Sequence, residues 1–217
     1  PAAPGSDTLV YAPYVDRMDA SVAYCKGYRL RQGLPAMDAW FRALEQQATY
    51  RGTQSDHHTH AHDLPPQMGG CWSNHSDVAR TMADQIDRGD GLAEDEACWD
   101  ADHSINAAAI ALGRVLRHRE RLMERNPLGR RGFDQPLRCA LTNLMGQGSP
   151  CPDRGSALAL RHLRDRISVP RDMPLPAARL LRQALERTAE LDGPDQPRPL
   201  PIRDRFDQDP APFVGRP

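Results

Sequence analysis

The chain has 217 residues, with 28 basic and 29 acidic side chains, a net charge of -1, 39% hydrophobic and only 6% aromatic content. Such a balance offers no general attraction to nucleic acid or to an anionic membrane, and no run of about 18 apolar residues could span a bilayer. A chain of this length can bury roughly 70% of its unfolded surface in one core without a metal or disulfide; we therefore expect one domain over 9–193, preceded by a leader (1–8).

The opening PAAPGSDT reads as a mature terminus left by signal cleavage, or as an artificially trimmed start. A first helix is expected from about Ala12–Asp16 to Arg31, carrying Val15, Met18, Val22 and Tyr24, with a break at Gly33-Leu34-Pro35. Proline at a first turn then opens a second helix, AMDAWFRALEQQATY, whose Met37, Trp40, Phe41, Leu44 and Ala48 share one face. Lys26 is the only lysine, as expected of a GC-rich bacterial gene, so any lysine nucleophile has one candidate.

Residues 51–75 show no periodicity and contain Gly52, Pro65-Pro66 and Gly69-Gly70, so a long loop is expected. It holds QSDHHTHAHDL, with half of the chain's 8 histidines. Imidazoles at this density can begin a zinc or copper site; His58, His60 and His62, joined by His75, form the candidate set, with Asp56, Asp63 and Cys71 as other candidate ligands. The competing reading is a solvated loop. Cys71 and His75 also place a thiol and an imidazole four residues apart, as a thiolate nucleophile would need.

Ser76-Asp77 cap a third helix through Val78, Met82 and Ile86, ended by DRGDG. A short turn or helix (92–99) follows. A long helix capped by Ser104 then carries Ile105, Ala108, Ala109, Leu112, Leu116 and Leu122 to a stop at Pro127 and Gly129. Its end, RVLRHRERLMERNPLGRR, bears Arg117, Arg121 and Arg125 at i, i+4 beside Glu120 and Glu124. It reads as a charged solvent face or a site for an anionic partner, with no interleaved aromatics to stack on bases. Further helices are expected over 134–145, 156–167 and 176–191. The tail 194–217 is proline-rich and extended. The sum is an all-α, compact bundle of about seven helices with a histidine-rich loop.

Five cysteines (Cys25, Cys71, Cys98, Cys139, Cys151) form no C-x-x-C. Their number suits disulfides and a periplasmic or secreted location, with at least one left unpaired.

Two segments carry a resemblance. GLAEDEACWDADHSINAAAIALGRVL (91–116) steps from an acidic turn through Asp102, Ile105 and Asn106 into an alanine-rich helix. CALTNLMGQGSP (139–150) follows with Ala140, Leu141, Thr142, Asn143 and Gly146. Together they resemble the lysozyme-like lytic transglycosylases of bacterial secretion systems. The resemblance implies a lysozyme-like fold, a peptidoglycan substrate, and one glutamate acting as acid and then base from a helix end. Glu45 is the position that fits, with Asn106, Asn143 and Trp72 lining the sugar groove. The chain departs from the pattern where E-S-G reads Glu45-Gln46-Gln47, where 68–72 lacks a glutamine, and where no tyrosine stands near Asn143. The alternative is a non-enzymatic helical binding, immunity or adaptor protein with a protein partner, or a metal-binding protein using the His57–His62 segment.

Overall fold

The computed structural model describes residues 6–68, 72–88 and 101–193. Among them there is no strand, and ten helices succeed one another. The first six are α1 (Ser6–Lys26), α2 (Leu30–Gly33), α3 (Pro35–Glu45), α4 (Ala48–Thr53), α5 (His57–Met68) and α6 (Asp77–Asp87). The last four are α7 (Ala101–Arg125), α8 (Gly129–Leu144), α9 (Ala157–Arg164) and α10 (Leu175–Glu190). No helix among the described residues is long and apolar enough to cross a membrane. The expected tail (194–217), the short element at 92–99 and residues 1–5 of the expected leader lie outside the described residues.

The all-α expectation holds, but the single domain over 9–193 becomes two compact units, α1–α6 and α7–α10. The helix α6 packs back on α1, whereas α7 packs forward on α8 and α10. Among the described residues, the helices of each unit are consecutive in the chain.

In the first unit α1 packs against α5 and α6. Its buried apolar side chains include two small clusters, Ala23, Ala61 and Ile86 in one and Ala12, Leu44 and Tyr50 in the other. The helix α1 ends five residues earlier than its apolar pattern implies, because Gly27 turns to φ 67, a conformation that halts a helix cheaply only at glycine. A Cβ at Gly27 would lie 2.6 Å from the backbone nitrogen of Ala79. The freed carbonyls of Cys25 and Lys26 accept from the backbone N–H and side-chain Nδ2 of Asn74, at 3.0 and 3.1 Å. Ser76 caps α6 as expected, its Oγ accepting from the Ala79 N–H at 3.1 Å.

The expected loop over 51–75 is largely helical, a correction with an identifiable cause. The Asp56 side chain accepts from the Thr59 N–H at 2.8 Å and so caps α5. The buried side chains described on α5 are His58, Thr59, Ala61 and His62, so hydrophobic periodicity cannot reveal it. Pro65 and Pro66 stay within the helix; the φ of proline suits a helix, and the cost is the lost N–H donors and crowding of the preceding turn.

The second unit has one continuous core around α10, which packs on α7, α8 and α9. Val115 and Met123 of α7, Phe133 and Leu137 of α8, Leu160 of α9 and Leu181 of α10 meet there. Asn126 ties the α7–α8 turn to α9, donating to the Ala159 carbonyl at 3.0 Å and accepting from the Leu128 N–H at 3.1 Å. Asp192, just past α10, accepts from the Gly155 and Ala157 N–H groups and caps α9 from afar. The helix α8 starts earlier than expected, with Pro136 inside it, and α7 starts before Ser104, which is therefore not its cap.

Candidate functional site

A helical α5 sorts its histidines by a period of 3.6 residues. His58 and His62, four apart, share the buried face, their ring centroids 4.4 Å apart and edge-on. Nε2 of His62 lies 2.9 Å from Oδ1 of Asp87 on α6, and Tyr24 of α1 stands edge-on to the same ring at 5.7 Å. The Tyr24 hydroxyl donates to Oδ2 of Asp87 at 3.3 Å. Burial, then the charge of Asp87, raises the Tyr24 pKa and keeps the phenol protonated. His57 is directed elsewhere, with Nε2 3.3 Å from Oδ2 of Asp19. His60 lies two residues from both His58 and His62, about 200° around the helix. Burial, aided by the positive charge of Arg17, lowers its pKa to about 4.

The expected zinc set of His58, His60, His62 and His75 is therefore not assembled. His75 is exposed at φ 54 in the turn before α6, and its carbonyl accepts from Arg80. Among the described residues no group of three His, Cys, Asp or Glu side chains comes together to hold a metal. The reason is the helix: it separates imidazoles that an extended strand would align.

Glu45 does end a helix, but it is buried and does not face open solvent. Its two oxygens accept from Nη1 and Nη2 of Arg31 at 2.6 and 3.2 Å. Arg31 also donates from Nε to Asp38 at 2.9 Å. This two-pronged pairing is the strong geometry for a structural ion pair, and it occupies the oxygens a general acid would turn to a substrate. Nearby, Tyr50 donates to Asp16 at 2.8 Å. Burial above all, against that hydrogen bond and with the like charge of Asp19, pushes the Asp16 pKa up to about 6.

Trp72 is 74% exposed, with Nζ of Lys26 4.0 Å above its ring centroid. Lys26 also donates to the Trp72 carbonyl. The tryptophan thus helps close the end of α1. Asn106 is exposed on α7, and Asn143 of α8 donates to the Ser149 Oγ at 2.9 Å. Glu45 and Trp72 belong to the first unit, Asn106 and Asn143 to the second. Cys71 lies outside the described residues.

The second unit contains a cavity of about 270 Å3 that the sequence reading misses. Val115, Leu122, Leu163, Ile167, Met173 and Leu181 give it an apolar floor. Its rim is basic, with Arg114, His118, Arg166 and Arg171 against the single carboxylate of Asp172. Asp172 is already engaged, pairing with Arg171 at 3.0 Å and accepting from the Ser168 N–H at 2.8 Å. Arg166 donates to the His162 carbonyl at 3.3 Å. Neither Arg114 nor His118 pairs with a described carboxylate. The only signal in the sequence is Arg114, His118 and Leu122 at i, i+4, i+8 on α7. The opposite wall, 163–173, joins them only through tertiary packing.

No protein-family model, curated protein or solved structure matches the chain.

Proposed function

We propose that the chain is a non-enzymatic helical binding protein whose second unit takes up a small molecule with an apolar body and an anionic head. The observation that carries this reading is the cavity between α7, α9, α10 and residues 166–173, with its apolar floor and surplus of cations. At about 270 Å3 it lies just under the usual range for drug-sized ligands, so it suits a smaller occupant. The floor supplies non-directional burial free energy, and a guanidinium fork selects a carboxylate or phosphate head. A medium-chain carboxylate satisfies both.

Calorimetric titration with octanoate, octanol and octylamine tests it. Octanoate should bind best, and Arg114→Gln with Arg166→Gln should weaken it about tenfold or more, as losing charged hydrogen bonds does. Equal binding of the three compounds, or none, overturns the proposal. The glycan-cleaving reading draws no support from Glu45, because Arg31 holds both of its oxygens. Purified chain should leave peptidoglycan turbidity unchanged; clearing that Glu45→Gln abolishes would restore that reading. The expected disulfides are not formed among the described residues, where Cys25, Cys139 and Cys151 are free thiols; we place the protein in the periplasm or outside the cell on its cysteine count alone, and cell fractionation tests this.

A further inference from the structure

Two cysteines of the second unit are brought together at a distance in the sequence. Cys139 is buried on the inner side of α8. The chain leaves α8 at Leu144, turns through Gly146 and Gly148, both at positive φ, and runs back along the helix. Asn143 and Ser149 close this turn at 2.9 Å. On its return the chain sets the Cys151 carbonyl 3.6 Å from the Cys139 Sγ. Gln135, one helical turn before Cys139, clamps both strands of the arrangement. Its Nε2 donates to Cys139 Sγ at 3.3 Å and to the Cys151 carbonyl at 3.2 Å, while its Oε1 accepts from the Asp153 N–H at 3.0 Å. The two cysteines also differ in a useful way: the Cys151 thiol is exposed and the Cys139 thiol is buried.

A disulfide needs Cα atoms roughly 4.4–6.8 Å apart and a particular side-chain torsion. The hydrogen bond from the Cys139 thiol to the Cys151 carbonyl, at 3.6 Å, holds the two backbone segments side by side. Ring closure then requires the exposed Cys151 side chain to rotate its sulfur toward Cys139. The geometry points to Cys139 and Cys151 as a thiol–disulfide modification site that fastens the 145–153 segment to α8.

The oxidant is a small-molecule or protein disulfide. Exposed Cys151, as thiolate, attacks one sulfur of that disulfide. The bond between the oxidant's sulfurs breaks, and its other sulfur leaves as a thiolate that takes up the proton Cys151 gave to solvent. Cys139 then attacks the Cys151 sulfur of the mixed disulfide. The second oxidant sulfur leaves, takes up the proton of Cys139, and the Cys139–Cys151 bond forms. Two cysteine thiols have lost two electrons, and one disulfide has become two thiols. Burial keeps Cys139 protonated by raising its pKa, helped by the negative charge of Asp153, so the exposed partner is the one that attacks first.

The test uses the full chain treated with oxidised glutathione, then alkylated and mapped by mass spectrometry. Wild type should yield a peptide pair linked through Cys139 and Cys151, lighter by two hydrogens, with both thiols lost from labelling together. Cys139→Ser should instead stop at a glutathione adduct on Cys151. Gln135→Ala should slow ring closure several-fold while leaving the first addition at Cys151 unchanged. This variant keeps the test decisive if Cys139→Ser does not fold. The proposal is overturned if wild type stops at the Cys151 adduct, if Cys151 links to another cysteine, or if the two thiols titrate independently.

Discussion

The two units solve the packing problem in opposite ways. The second builds one apolar core through all four of its helices and gathers most of its buried charge into an ion-paired set, while buried Arg182 donates to the Ile167 carbonyl. Arg161 and Arg164 both grip Glu186 of α10, and Arg164 also pairs with Asp165 at 2.7 Å. The first has two three-residue apolar clusters and scattered buried apolar side chains such as Leu30 and Phe41, and among them it buries Asp19, Glu45, Asp56, His58 and His62. Apolar burial is non-directional and varies little with pH, whereas buried titratable groups make stability follow protonation. The difference teaches that the first unit should be the pH-sensitive one in composition yet not in sum.

The largest expected effect comes from the continuous core. Phe133 is fully buried, and Phe133→Ala should cost roughly 3–5 kcal/mol. Hydrogen exchange should localise the loss to α7–α10. Equal loss in α1–α6 would dissolve the distinction between the units.

Next is the ion cluster. Burial alone would raise the Glu186 pKa, but hydrogen bonds and charge from Arg161 and Arg164 outweigh it and hold the pKa below its ordinary value of 4.5. A carboxylate depressed in the fold contributes stability above its unfolded pKa, and that stability is lost as pH falls through the lower folded value. Breaking the set by Glu186→Gln should cost about 3 kcal/mol at neutral pH, since Arg161 loses its charge partner and Arg164 keeps only Asp165. Chemical denaturation at pH 7 and pH 3 checks it: the penalty should shrink in acid. A penalty that persists undiminished would mean the contribution is shape and not charge.

In the first unit two groups titrate over the same window with opposite sign. Asp16 has a folded pKa of about 6 against 3.8 unfolded, so its contribution is lost as pH rises through that interval. His60 has a folded pKa of about 4 against 6.5 unfolded, so its contribution is lost as pH falls. Each shift is worth on the order of 3 kcal/mol, and they offset each other. Wild type should therefore show a nearly flat profile for α1–α6 between pH 4 and 6. Asp16→Asn, which keeps an acceptor for Tyr50, should leave stability falling in acid; His60→Gln should leave it rising. Parallel curves for the three proteins would remove the proposed cancellation. His162 in the second unit is also lowered to about 4, by burial and then by Arg166. It acts in the same direction as Glu186, so that unit has no such offset.

The smallest effect is at a helix start. Ser76→Ala removes the acceptor for the Ala79 N–H and should cost about 1 kcal/mol. Urea midpoints would show it, with the slope unchanged and the second unit unaffected.

The sequence by itself determined the helical class, the Ser76 cap, and the approximate positions of α6, α9 and α10. Each of these is a local property, written in periodicity, capping chemistry and the placement of proline and glycine within a few residues. The α5 helix escaped notice because its buried side chains are histidine, threonine and alanine, which no hydrophobic period marks. Only tertiary structure decided the fate of the chemical groups. Arg31 reaches Glu45 across 14 residues, Asp87 meets His62 from another helix, and the Cys151 carbonyl returns to Cys139 after a turn. The basic cavity needs α7 and residues 163–173 at once. A side chain's role depends on what faces it, and that partner is set by packing between helices, which a local pattern does not encode.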